Sequence, residues 1–153
     1  MNNIMQPRMY MELFFPSELG YEIIARDAVA AFARRMGFPH ERIDDLKTAM
    51  CEACINAIEH GNMLKPGLRI QIACEADNDR LKIEVRDQGL HVFETANEPL
   101  SIADKLAGRG SLRGMGLMII AQLADESGFV NEGEIGNCFR FTLYRTTPRG
   151  RVV

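Results

Sequence analysis

Apolar residues alternate or cluster over residues 9–15 and stop at Pro16-Ser17, the pattern of an opening strand followed by a helix cap. Residues 21–36 then carry Ile23, Ile24, Ala28, Ala31 and Phe32 at helical intervals and halt near Gly37, which predicts a first amphipathic helix. A second helix is predicted from about Pro39 through Ile43, Leu46, Met50, Cys54, Ile55 and Ile58 to a glycine stop at Gly61. Two alternating runs, 68–76 and 80–87, flank Asp77-Asn78-Asp79 and read as an antiparallel hairpin. Residues 89–114 have little apolar periodicity and include Pro99, Gly108 and Gly110; so long a connection predicts a functional or mobile loop. A third helix over 115–124 and a last hairpin, with Phe129-Val130 and 137–144 on either side of 133–136, complete the pattern. Helices, hairpin, loop, helix and hairpin in this order predict an α+β fold, a two-layer sandwich whose antiparallel or mixed sheet is covered on one face by helices.

With 153 residues, of which 46% are hydrophobic and 25% charged, the chain has the size of a single domain with a real core. The expected core runs from about 9 to 144, and the tail from 146 to 153 is expected to fray. A net charge of -3 gives no overall positive field for a phosphate backbone or an anionic membrane, so no direct nucleic-acid partner is expected. No stretch approaches the ~20 apolar residues of a membrane span, and a cytoplasmic protein is expected. Cys51, Cys54, Cys74 and Cys138 are too scattered for a disulfide framework, and the Cys51-x-x-Cys54 pair has no partners for zinc; buried structural thiols are expected.

On the second helix, Glu52, Asn56, Glu59 and His60 fall on one side and Met50, Cys54, Ala57 and Ile58 on the other, with Lys47 out of place among the apolar positions. By pattern alone this stripe is either a solvated face or a site. Glu52 and Asn56, four residues apart, would put a carboxylate able to take a proton beside a neutral amide oxygen able to ligate magnesium. Asp87-Gln88-Gly89 ends a strand with an acceptor suited to an adenine amino group, and the same residues equally spell a turn. Arg113-Gly114-Met115-Gly116 precedes a helix, so its amides could receive phosphate oxygens, although a flexible loop before a helix reads the same way.

Taken together, Glu52-x-x-x-Asn56, Asp87-x-Gly89 and Gly114-x-Gly116 resemble the N box and the two glycine boxes of the GHKL ATPases, the group of histidine kinases, gyrase and Hsp90. More narrowly, Glu52-Ala-Cys-Ile-Asn56-Ala-Ile-Glu-His60-Gly61 and Val85-Arg-Asp87-Gln-Gly89 are similar to the bacterial anti-sigma-factor serine kinases, over about residues 9–144. The resemblance implies a Bergerat-type ATP site closed by a lid over residues 90–113. In it Asn56 would hold magnesium against the phosphates, Asp87 and Gly89 would take adenine, Glu52 would activate the attacking hydroxyl, and Gly114 to Gly116 would cradle phosphate. His60 and Arg113 match positions that line the site, and Thr142 one near the base. Where relatives commonly carry glycine-threonine before the last strand, this chain has Gly136-Asn137-Cys138.

The function so implied is an ATP-dependent protein serine/threonine kinase that phosphorylates a small anti-anti-sigma partner and sequesters a sigma factor. The competing expectation is a nucleotide-dependent binding module with little kinase activity, which has no use for Glu52. A homodimer through the outer face of the sheet and a partner-contacting Arg26 on the first helix are further expectations drawn from the resemblance.

Overall fold

The computed structural model describes residues 8–89, 113–131 and 135–146, apart from the side chain of Arg113. Residues 90–112 of the lid expected over 90–113, and the tail beyond 146, thus lie outside the described residues. Strands β1 (Met9–Pro16), β2 (Arg69–Ala76), β3 (Arg80–Arg86), β4 (Glu126–Phe129) and β5 (Cys138–Tyr144) form one sheet in the order β1-β2-β3-β5-β4. Every neighbouring pair is antiparallel. Among the described residues three α-helices, α1 (Tyr21–Arg35), α2 (His40–Asn56) and α3 (Arg113–Leu123), cover it.

Alternation decides which face they cover. Ile70, Ile72 and Cys74 on β2, Leu81, Ile83 and Val85 on β3, and Phe139, Phe141 and Leu143 on β5 share the core with the helices. The intervening residues make an outer face of paired charge: Arg140 donates to Glu84 at 2.8 Å and Lys82 sits 3.1 Å from Glu75. Burial alone would raise the Glu84 carboxyl, but hydrogen bonds and charge from Arg140 and Arg86 hold it below the usual carboxylate range.

The helix faces differ from the sequence expectation. On α1 the buried positions are Ala25, Val29, Ala30 and Ala33, while Ile23 and Ile24 are 46% and 62% exposed. The small alanines, together with Ala49 and Ala53 of α2, let two helix backbones approach closely, and this outweighs side-chain size in choosing the face. Ser17 does not cap α1, whose N-cap position is Gly20 with φ 109°; Ser17 is buried and accepts a hydrogen bond from Asn62. The continuous helix expected as far as Gly61 instead changes to a π-turn at Ala57–Gly61, with Asn62 N–H donating to Ala57 O at 2.8 Å.

The thiols are free, and Cys54, Cys74 and Cys138 are buried, whereas Cys51 is only half-buried. Desolvation pushes Cys74 and Cys138 up to about 12 and moves Cys54 upward as well, which suits inert packing groups. No described helix is long and apolar enough to cross a membrane.

Two charged clasps fix the layers. Arg42, nearly buried at the start of α2, pairs with Asp45 and lies 3.4 Å from Asp125, whose Oδ2 also accepts Tyr144 N–H at 2.8 Å. Asp125 follows α3, so this network ties the far end of α3 to α2 and β5. Arg145, the next residue along from Tyr144, makes the second clasp. Gly37 (φ 80°) ends α1, with Phe38 N–H donating to Ala33 O and Gly37 N–H to Arg34 O, which leaves the carbonyls of Met36 and Gly37 for another donor. Arg145 supplies it: Nη2 reaches Met36 O at 2.8 Å, Nη1 Gly37 O at 2.7 Å and Nε Asn78 O at 2.6 Å, above the Phe38 ring. Arg145→Ala is expected to cost about 2 kcal/mol, lowering Tm by roughly 4–8 °C in a chain of this size, with Arg145→Lys recovering less than half because a compact ammonium cannot reach all three carbonyls. Thermal melts of the two variants beside the parent check this.

Candidate functional site

The polar stripe of α2 is not a solvated face. Glu52 is half-buried and Asn56 is buried, 6% exposed, because α3 lies across this side of the helix. The crossing is close at Gly116, where a Cβ would stand 2.7 Å from Glu52 Oε2. α3 begins at Arg113, two residues earlier than expected, so Gly114 and Gly116 both fall in its first turn. The amides of that turn have no acceptor within the helix, and the helix dipole adds positive potential in front of them.

One turn beyond Glu52, Asn56 Oδ1 is buried and has no hydrogen-bond partner among the described residues. A neutral carbonyl oxygen kept without a donor is costly unless something else meets it. A hard cation that takes one protein oxygen and completes its shell with water and phosphate fits such an atom, and magnesium behaves in this way.

At the end of α2 the π-turn delivers Gly61 onto the end of β3. A Cβ on Gly61 would lie 1.9 Å from Asp87 Oδ2, and one on Gly89 would lie 1.9 Å from Gly61 O. The two backbones therefore meet only because neither residue has a side chain. Asp87 is 8% exposed. Its Oδ1 accepts Gly89 N–H at 2.8 Å and Asn137 N–H at 2.9 Å, and the Asn137 amide donates to both carboxylate oxygens at 3.3 Å. Gly136 closes the cradle with φ 88°, its Cα so near the Asp87 carbonyl that a Cβ would stand 2.2 Å from the oxygen. His60 sits half-exposed on the π-turn with Nε2 3.8 Å from Glu59.

The structure thus brings Gly114 and Gly116 to Glu52 in the last turns of α2, with Asn56 one turn on, and Asp87 and Gly89 to Gly61 at the end of the π-turn that follows. Along the helix from 52 to 61 the separation is about 13 Å, comparable with the span of a nucleoside and its phosphates. Thr142 is not brought there. It pairs with Lys82, shares the outer face of the sheet with it, and lies four residues from Cys138, on the order of 13 Å down the strand. The last-strand position that reaches Asp87 is Asn137. The expected side-chain role of Arg113 lies outside what is described. Arg26, on α1, pairs with Asp27 at 2.9 Å. Sequence reasoning missed Asn62, 2% exposed, whose amide bonds span three elements; a polar residue following a glycine stop carries no signal of burial.

The histidine kinase-like ATPase domain family matches residues 15–143. The chain is 31% identical over 134 residues to the anti-sigma F factor of Oceanobacillus iheyensis, covering 86% of this chain and 90% of that protein. It is 32% identical over 124 residues to the serine-protein kinase RsbW of Bacillus subtilis, covering 76% and 75% of the two. Among solved structures, the RsbU and RsbW domains of Rv1364c from Mycobacterium tuberculosis match with a TM-score of 0.60 and 18% identity, covering 90% of this chain and 32% of that one, a likeness of fold. On the extent of the family match and of these relatives, this chain belongs to the histidine kinase-like ATPase domain family.

Proposed function

We propose that this chain binds ATP and transfers its terminal phosphoryl group to a serine of a small anti-anti-sigma protein, and that it sequesters a sigma factor as its second output. The observation that carries the reading is the order of groups along α2: a carboxylate against the glycine turn of α3, an unpartnered buried amide oxygen, and a glycine seated on a buried aspartate. The anti-sigma and serine-kinase names of the relatives support the same activity.

Asp87 accepts the amino group of the base, and the backbone of Gly61 and Gly89 leaves a flat ligand room to lie against it. The first turn of α3 receives phosphate oxygens through its amides. Asn56 Oδ1 would hold magnesium, which when bound neutralises phosphate charge. Glu52 takes the proton of the serine hydroxyl as the serine oxygen bonds to the terminal phosphorus and the bond to the bridging oxygen breaks, leaving ADP. The protonated carboxyl then returns its proton to water.

The proposal includes a second copy of the chain docked on the outer face of the sheet, where Tyr10 and Phe14 are 60% and 53% exposed, which predicts a doubled mass in sedimentation equilibrium. The partner half of the reading is tested by retaining proteins on the immobilised chain with and without ATP; a retained protein that gains phosphoserine supports it, and retention indifferent to ATP contradicts it.

Two substitutions separate binding from chemistry. Asp87→Asn replaces an acceptor oxygen by a donor at the base and is expected to weaken ATP binding about 100-fold or more in calorimetry, while the fold survives. Glu52→Gln is expected to leave ATP affinity within about threefold and to slow single-turnover transfer by ~10²–10⁴. An unchanged transfer rate would instead favour the nucleotide-dependent binding module.

A further inference from the structure

We propose that Asn62 is a positioning residue for the base end of the site, its buried amide holding the strand end that carries Asp87 at a fixed distance from α2. The inference rests on the ATP reading above. Asn62 follows the glycine that touches Asp87, and both of its amide functions are used inside the protein. Nδ2 donates to Ser17 Oγ at 2.9 Å and to Arg69 O at 3.3 Å, and Oδ1 accepts Gln88 N–H at 2.8 Å. Gln88 in turn accepts Arg69 N–H through Oε1 at 2.7 Å, so residues 62, 69 and 88 form a closed ring of hydrogen bonds. Ser17 belongs to the turn after β1, Arg69 opens β2, and Gln88 directly follows Asp87. One side chain therefore joins the end of the N-box helix to three points of the sheet layer.

The chain leaves Asn62 in a conformation that needs such a hold. Met63 and Leu64 have φ of 54° and 58°, the left-handed region that L residues with side chains rarely occupy, and they do so consecutively and on the surface. Neither is a glycine, so the local sequence does not favour the turn. It is held by Leu64 N–H on Ile58 O at 2.9 Å, by Lys65 N–H on Asn62 O at 3.0 Å, and by the buried anchorage of Asn62 itself. If the Asn62 oxygen is removed, Gln88 N–H loses its acceptor in a part-buried place, and relaxation there moves the peptide bonded to Asp87. The predicted consequence is a loss of base recognition beyond any loss of stability.

The test compares ATP with inosine triphosphate, which has the same ribose and phosphates but carries an oxygen where adenine carries its amino group. Both are titrated by calorimetry with magnesium, well below the melting temperature of each variant. The parent is expected to prefer ATP strongly. Asn62→Ala removes the acceptor of Gln88 N–H and is expected to shrink that preference about tenfold, with inosine triphosphate bound nearly as before. Asn62→Asp keeps an acceptor for Gln88 but loses the donors to Ser17 and Arg69, so it is expected to melt lower while keeping the preference within about threefold. A purely structural role would lower the melting temperature of both variants and leave both preferences unchanged, and an unchanged preference in Asn62→Ala overturns the inference. If Asn62→Ala does not fold, Asn62→Ser, whose shorter side chain cannot reach Gln88 N–H, takes its place: a preference that shrinks beside a retained one in Asn62→Asp supports the inference, and an unchanged preference overturns it. A parent that binds the two nucleotides alike removes the base-recognition reading itself, and the inference with it.

Discussion

Everything at the Asp87 end of the candidate site depends on a contact between two main chains with nothing between them. The carbonyl of Gly61 lies where a side chain on residue 89 would have to be, and the carboxylate of Asp87 lies where one on residue 61 would have to be. Such an approach requires glycine on both sides, but two glycines alone would leave it loose, since their entropy on folding favours opening. The looseness is removed by amides. Asn62 fixes one flank through Gln88, and Asn137 fixes the other through the Asp87 carboxylate. Glycines supply the room and asparagines supply the order.

The Glu52 end is built by a different means. There α3 meets α2 at Gly116, and an ionic network holds the opposite end of α3, where Asp125 meets Arg42 and the Tyr144 amide. A buried ion pair of this kind offers little net stability over an apolar contact, but removing one partner strands the other charge, so it specifies geometry better than it adds to stability. The Asn56 oxygen, left unpaired by the same packing, is the residual cost of a site shaped for something not present in the chain itself.

Much of this could be read from residue order. The strands, the β2–β3 hairpin and the glycine boxes each announce themselves over a short window, because period-two alternation and glycine-rich turns are local signals. The misreadings share a cause. Ile23 and Ile24 looked like core because they are large, but the α1 face is chosen by how closely Ala25, Ala30 and Ala33 allow α2 to approach, a property of two helices at once. Thr142 looked like a ligand by resemblance, but strand register across β3 and β5 puts it on the outer face. Asn62 gave no sign because its partners at 17, 69 and 88 are distant in sequence. The π-turn was hidden for the same reason, as its extra residue answers to the strand lying beneath Gly61.

The strand order has a bearing on how the molecule is made. β5 lies inside the sheet, between β3 and β4, yet of the described strands it is the last to be synthesised. β3 ends at Arg86 and β5 begins at Cys138, so at ~5–20 residues per second the ribosome needs about 3–10 s to supply the neighbour of β3 after β3 itself is complete. During that interval the edge of β3, with apolar Leu81, Ile83 and Val85 on one side, is open to any other strand. The nascent chain thus passes through a period when a chaperone, or a second nascent copy, competes for the place that residues 138–144 will take.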